Sequence, residues 1–317
     1  MTMQFRDLAA QAVANGAISA DEILALRQAG WADGRIDPEE AESLFIANEH
    51  VTTASPEWAA LFVEALSEFV VNTVEPHGYV DQAMADELIA RIDHDGRVDS
   101  LTELELLVKV LEIARSVPAN LKDYALRQIE EAVLTGEGPT RTGTLDPKAI
   151  TEAECDVLRR VIFAAGGDRP AAVSRAEAEM LFRLKDATLY EINAPGWERV
   201  FVQGVANYLL GFETPEPLSR ERAAELEAFM SSEGHGIGSF LGRMMHSEVE
   251  DNAGAAFGSL LDISQPIAED AEDKAEIDEA EELWLRDRID ADEELDDMEK
   301  ALLAFIAEET GTEALRS

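Results

Sequence analysis

The sequence predicts an all-α protein made of two related multi-helix domains, and three observations support this. Almost every segment has apolar residues at helical spacing, while the period-two alternation of strands is absent. Side chains that can cap a helix precede many of these segments. Part of the chain also repeats, since residues 40–45 (Glu-Ala-Glu-Ser-Leu-Phe) recur as residues 177–182 (Glu-Ala-Glu-Met-Leu-Phe). The nearly constant offset between the copies indicates an internal duplication.

Helical periodicity and caps place the elements in order. The predicted helices span about residues 20–29, 38–49, 56–72, 81–92, 100–116, 119–134, 147–165, 175–187, 196–211, 219–230 and 297–309. Pro38 and Pro147 stand at a first helical position, where the missing amide costs nothing. Five pairs match capping-box spacing: Ser19 with Glu22, Asp37 with Glu40, Thr151 with Glu154, Ser174 with Glu177, and Asp296 with Glu299.

The repeat continues through an aromatic helix in each copy. Pro56, Trp58, Phe62 and Val63 recur in order as Pro195, Trp197, Phe201 and Val202. This helical spacing of Trp and Phe predicts two matching apolar cores. Further along, residues 284–309 align with residues 88–106, and we interpret this C-terminal unit as a replacement for a decayed turn at residues 231–235.

Two interruptions predict the domain boundaries. Residues 135–144 have three glycines, one proline and no apolar periodicity. They predict an N-terminal domain at 1–135, a linker at 136–146 and a C-terminal domain at 147–317, with few contacts crossing the linker. The second interruption, about 231–281, begins with a glycine cluster and ends in an acidic run, and it predicts a mobile acidic insertion.

Composition limits the classes of function. The chain has 317 residues, 46% of them hydrophobic, with 66 acidic and 26 basic side chains and a formal charge of -40. This field repels nucleic acids and anionic membrane surfaces, and it attracts divalent cations and basic proteins. The same charge also fits simple solubility or adaptation to a salty cytoplasm.

Targeting signals and redox chemistry give little further information. The first twenty residues lack the pattern of a secretory signal, and no apolar run approaches the roughly 20 residues of a membrane span. The single cysteine, Cys155, cannot form an internal disulfide. We therefore expect a cytoplasmic protein.

Closely spaced carboxylates in the turns before three helices suggest Ca²⁺ or Mg²⁺ sites. The candidate metal ligands are Asp33, Asp37 and Glu40 in the first turn, Asp93, Asp95 and Asp99 in the second, and Asp290, Asp292, Asp296 and Glu299 in the third. Aligned on an EF-hand loop, each turn lacks some of the required ligands or the central glycine. Helix capping and ordinary turn chemistry also explain many of these acids.

The first turn carries a family resemblance. A small residue, Asp33-Gly34, an apolar residue and an acid, followed by Glu-Ala-Glu and Leu-Phe, is similar to the helical tellurite-resistance TerB-like proteins. The similarity covers about residues 18–50 and 155–187. It implies an all-helical cytoplasmic protein with acidic cation-binding positions at Asp33, Asp37 and Glu40.

No catalytic constellation emerges from the sequence. None of the five histidines has the Glu three residues before it that a di-iron bundle requires, and no cluster has zinc-ligand spacing. We therefore expect a non-enzymatic protein without catalytic residues. It would bind a divalent cation through the acidic turns or, as the alternative, act as a metal-independent acidic scaffold for a basic protein partner.

Overall fold

The computed structural model describes residues 5–10, 18–30, 35–51, 54–141, 149–164, 166, 172–210, 220, 224, 277, 279–289 and 295–310. In order, its helices are α1 (Ala20–Gly30), α2 (Pro38–His50), α3 (Pro56–Asn72), α4 (Gln82–Ile92), α5 (Leu101–Ile113), α6 (Ala119–Thr135), α7 (Glu152–Ile162), α8 (Arg175–Thr188), α9 (Gly196–Leu210), α10 (Glu279–Ile289) and α11 (Asp297–Thr310). The described residues contain no β-strand, which confirms the all-α class. No described helix has the length and apolarity needed to cross a membrane.

Two central helices organise the packing. Helix α3 packs against α1, α2 and α5, and helix α9 packs against α7, α8 and α11. Each contributes a buried tryptophan, Trp58 or Trp197, whose ring lies about one helical turn from a buried phenylalanine. The ring centroids are 6.1 Å apart for Trp58 and Phe62 and 6.2 Å apart for Trp197 and Phe201. Burial of both aromatic pairs confirms that these helices are core elements.

Helix α6 joins the two sets of helices. It packs against α4 and α5 on one side of the chain's middle and against α7 and α8 on the other. Arg160 of α7 adds ion pairs at 2.7 Å to Glu105 and Glu112 of α5. All eleven helices therefore belong to one compact unit with a continuous apolar core. Independent folding of 1–135 and 147–317 stays a prediction, which expression of residues 1–135 alone would test.

The described part of the predicted linker is anchored. Gly136 caps the C-terminus of helix α6. Its φ of 76° is the left-handed conformation that glycine adopts readily at a helix end. Thr140 and Arg141 follow, and both side chains bind the buried carboxylate of Glu154. Polar side chains, rather than an apolar face, therefore hold this stretch in place.

Helix bounds agree closely with the sequence prediction at most positions. The sequence prediction has no helix at the position of α10 (Glu279–Ile289). The first residues of this helix lie in the segment predicted as a mobile insertion, 231–281. Helix α7 begins at Glu152, after its cap Thr151, rather than at 147. The predicted helix at 219–230 and residues 231–276 of the predicted insertion lie outside the described part, apart from positions 220 and 224.

Candidate functional site

The second acidic turn, residues 93–99, is a tight hairpin held by its own polar groups. Asp95 and Gly96 have φ values of 56° and 90°, which matches the Asp-Gly pair of a type I′ turn. The backbone groups of His94 and Arg97 exchange hydrogen bonds across it. Both positive-φ residues are exposed, so the turn geometry is local in origin.

Asp93 serves this hairpin structurally. One carboxylate oxygen accepts from the Gly96 amide at 3.1 Å, and the other accepts from the Tyr124 hydroxyl at 2.7 Å. Burial, together with the Asp93 carboxylate, raises the pKa of Tyr124, so the phenol stays a donor. Asp95 and Asp99 are exposed, and the cap of α5 is Ser100 rather than Asp99.

In the first acidic turn, Asp37 and Glu40 cap helix α2. The Asp37 carboxylate accepts from the Glu40 amide at 2.9 Å, and the Glu40 carboxylate accepts from the Asp37 amide at 3.1 Å. This is a complete capping box, as the spacing predicts. Asp33, Asp290 and Asp292 lie outside the described residues.

Two polar clusters emerge around the capping glutamates of α5 and α11. The N-terminal polar cluster consists of Asn48, Trp58 and Glu103. Glu103 caps α5 through one oxygen, and its other oxygen accepts from the Asn48 amide at 3.1 Å. The Asn48 carbonyl in turn accepts from the Trp58 indole N–H at 3.1 Å. One amide therefore satisfies a buried donor and a buried acceptor.

The C-terminal polar cluster consists of Lys185, Asp186, Asp296 and Glu299. Asp296 and Glu299 form the capping box of α11. The Lys185 ammonium, 1% exposed, lies 2.6 Å from an Asp296 oxygen, 2.5 Å from the free oxygen of Glu299 and 2.9 Å from Asp186. Three carboxylates thus surround one internal cation.

Both clusters perturb protonation in ways that follow from their partners. Burial raises the pKa of Glu103, against the opposing hydrogen bonds from Ser100 and the positive potential of His94. Burial alone would lower the pKa of Lys185, but its hydrogen bonds to Asp296, Glu299 and Asp186 raise it instead. Lys185 is therefore a fixed positive charge.

At α7 and α8 as well, one oxygen of the capping glutamate binds the helix start and the other binds a side chain from elsewhere in the fold. Glu177 caps α8 with one oxygen, and its other oxygen lies 2.7 Å from the Lys122 ammonium of α6. Glu154 caps α7 in the same way and receives Thr140 and Arg141 on its other oxygen. A buried carboxylate requires such partners because removal from water is costly.

The described residues form neither a metal-binding cluster nor an activated cysteine nucleophile. Within them, no three His, Cys, Asp or Glu side chains converge as metal ligands would. Cys155 is buried, and burial, followed by the charges of Glu152, Glu154 and Asp156, raises its pKa to about 12. The thiol is therefore protonated at neutral pH and is a poor nucleophile.

A small cavity lies beside α9, with a volume of about 320 Å³. Phe163, Gln203, Ala206, Asn207 and Phe305 line it. The described lining residues include no ionisable group, and the Asn207 carbonyl already accepts from the Val173 amide at 2.8 Å. These five side chains supply no acid, base or charge for catalysis.

The sequence analysis did not identify the side chains that bind these carboxylates. Lys185 and Asn48 stand three residues after the final Phe of the repeated motif, so the alignment of the two copies already pairs them. Lys122 and Tyr124 have no comparable signal in the sequence. Their roles depend on the packing of α6.

Comparison with known proteins gives no assignment. The chain matches no protein-family model, and neither the curated proteins nor the solved structures give a significant match. The resemblance to TerB-like proteins therefore stays a hypothesis drawn from residues alone.

Proposed function

We propose that this protein is a non-enzymatic, metal-independent acidic scaffold that docks a basic protein partner. The observation that carries the proposal is the Lys185 ammonium, which occupies the centre of three carboxylates. Lys185 thereby binds Asp296 and Glu299, two of the four carboxylates that the sequence offers as metal ligands in the third turn. Glu177 and Glu154 have internal cations as well.

The scaffold arises by internal duplication, in our proposal, with α1, α2, α3, α4 and α5 corresponding to α7, α8, α9, α10 and α11. Matching contacts support this: α3 packs on α1, α2 and α5, as α9 packs on α7, α8 and α11. Edge-to-face ring pairs support it too. The Phe45–Phe62 centroids are 5.8 Å apart at 88°, and the Phe182–Phe201 centroids are 5.1 Å apart at 83°.

Charge supports a basic protein as the partner. With 66 acidic against 26 basic residues, the chain repels nucleic acids and anionic lipid surfaces and accelerates encounter with positively charged proteins. The non-enzymatic role remains an expectation from the sequence, and the buried Cys155 thiol is a poor nucleophile. A cytoplasmic location remains an expectation from the sequence.

Binding of Ca²⁺ or Mg²⁺ is the other function that the sequence predicts. In the second turn, Asp95 and Asp99 are exposed, while Asp93 is engaged by Tyr124 and Gly96. The remaining candidates, Asp33, Asp290 and Asp292, fall outside the described residues. Cation binding at these turns therefore stays a prediction.

The scaffold proposal is tested with a model partner, a fluorescein-labelled amphipathic helical peptide of leucine and lysine. The control is the same peptide with glutamate at every lysine position. We expect anisotropy to report binding of the basic peptide alone, weakened by added NaCl and unchanged by a chelator. Equal binding of both peptides, no binding of either, or binding that requires Ca²⁺ would overturn the proposal.

A further inference from the structure

An apolar tip projects from the connection between α8 and α9. Tyr190 is 94% exposed and Ile192 is 88% exposed, the highest values among the large apolar side chains of the described residues. They flank Glu191, which is also exposed. A large aromatic and a large aliphatic side chain, two residues apart, are therefore open to contact by a partner.

The base of this loop is held firmly. The Asn193 side chain donates to the Thr188 carbonyl at 2.8 Å and accepts from the Ile150 amide at 2.9 Å. The Ala194 amide donates to the Ile150 carbonyl at 2.8 Å. Because the base is fixed, the tip is presented with little conformational entropy left to lose on binding.

The corresponding connection in the N-terminal half lacks this feature. It runs over five residues, 51–55 (Val-Thr-Thr-Ala-Ser), whereas residues 189–195 (Leu-Tyr-Glu-Ile-Asn-Ala-Pro) number seven. Helices α2 and α3 pack together, and the sequence of their connection has no counterpart of Tyr190 or Ile192. Packing of α8 on α9 therefore does not require Tyr190 and Ile192.

The acidic charge of the surface around Tyr190 and Ile192 favours a basic partner. Residues 185–199 contain two bases, the buried Lys185 and the exposed Arg199, and three acids, Asp186, Glu191 and Glu198. All three side chains are exposed. A second copy of this chain would bring two such acidic surfaces together, which is unfavourable, whereas lysines or arginines on a partner would be attracted.

We infer that the loop at residues 189–193 is the docking anchor for a basic protein segment. Tyr190 and Ile192 insert between apolar side chains of the partner, and its basic residues lie against the surrounding acids. Tyrosine is among the residue types that most often dominate interface energetics. This inference rests on the proposed scaffold function and names the surface that performs it.

The test compares two paired variants against the leucine-lysine peptide. Tyr190→Ser with Ile192→Ser removes the tip. Leu24→Ser with Leu283→Ser removes two exposed apolar side chains, 54% and 60% exposed, from the surfaces of α1 and α10. We expect at least about a tenfold loss of affinity for the tip variant and a change of less than about twofold for the control. Circular dichroism checks that both variants fold.

Each result decides between the two claims. Equal affinity for wild type and tip variant overturns the docking loop but leaves the acidic scaffold standing. No binding by the wild type overturns the scaffold and the loop together. Light scattering adds a third outcome: a wild-type dimer that the tip variant converts to monomer would assign the loop to self-association and overturn the inference.

Discussion

The two polar clusters solve the same structural problem with different chemistry. In each, a glutamate caps a helix with one oxygen and needs a partner for the other. The N-terminal cluster supplies the neutral amide of Asn48, and the C-terminal cluster supplies the ammonium of Lys185. An amide donates and accepts, so Asn48 also satisfies Trp58, whereas an ammonium only donates.

The consequence appears at Trp197. Its indole N–H is buried and has no hydrogen-bond acceptor among the described residues, while that of Trp58 donates to Asn48. The C-terminal half thus gives up one hydrogen bond and gains a cation for three carboxylates. The comparison teaches that the helix start with three converging carboxylates has an internal positive charge, whereas its counterpart has a neutral amide.

The largest expected effect is the loss of the Lys185 charge. Lys185→Met leaves the buried Glu299 and the partly buried Asp296 without a cation, and it should lower the free energy of unfolding by roughly 3–5 kcal/mol. Urea unfolding measures this difference. The matched control is Lys300→Met, which breaks an exposed pair with Asp297 and should change stability by less than about 1 kcal/mol. Similar values for both variants would contradict a central role for Lys185.

A smaller effect compares the two capping glutamates directly. Glutamine keeps an acceptor for the cap but removes the charge. Glu299→Gln should cost roughly 1.5–3 kcal/mol at neutral pH because it weakens a charged hydrogen bond to Lys185. Glu103→Gln should cost less than about 1 kcal/mol because its partner is a neutral amide. If the order of the two variants were reversed in urea unfolding, the comparison would fail.

The pH dependence of the N-terminal cluster has a defined sign. The raised pKa of Glu103 means that the folded state binds this proton more tightly than the unfolded state does. Its contribution is fully present below the unfolded pKa, near about 4.3, and is lost as pH rises through the folded value. The free energy of unfolding of wild type minus that of Glu103→Gln should therefore fall as pH rises above the unfolded pKa. A constant or rising difference would contradict the assignment.

A further effect, local to the backbone, concerns the turn that precedes α5. Gly96 has a φ of 90°, and a methyl group added there would meet no atom within 4 Å. Gly96→Ala should therefore destabilise through backbone conformation alone, by about 1–2 kcal/mol. Thermal unfolding with and without Ca²⁺ measures it. A cost that appears only with Ca²⁺ would mean that this turn is organised around an ion.

Sequence patterns predicted much of the fold because its signals are local. Apolar periodicity and the five capping boxes located most helices, and the structure contains each of these boxes. Helix α10 escaped because its acidic, weakly amphipathic sequence resembles the preceding charged run. The aligned motif placed Lys185 opposite Asn48, but two of its three carboxylate partners, Asp296 and Glu299, come from a segment more than a hundred residues away. Long-range pairing of this kind follows from packing, which the sequence pattern does not specify.

Calorimetric titration of chelator-treated wild-type protein with Ca²⁺ and Mg²⁺, at physiological ionic strength, tests the central claim most directly. The claim is that the protein's own groups satisfy the acidic helix starts without a metal ion: internal cations at α7, α8 and α11, and neutral hydrogen-bond partners at α2 and α5. It predicts no saturable heat, only the weak response of a screened acidic surface. Stoichiometric, saturable binding that Asp95→Asn or Asp296→Asn abolishes would contradict it.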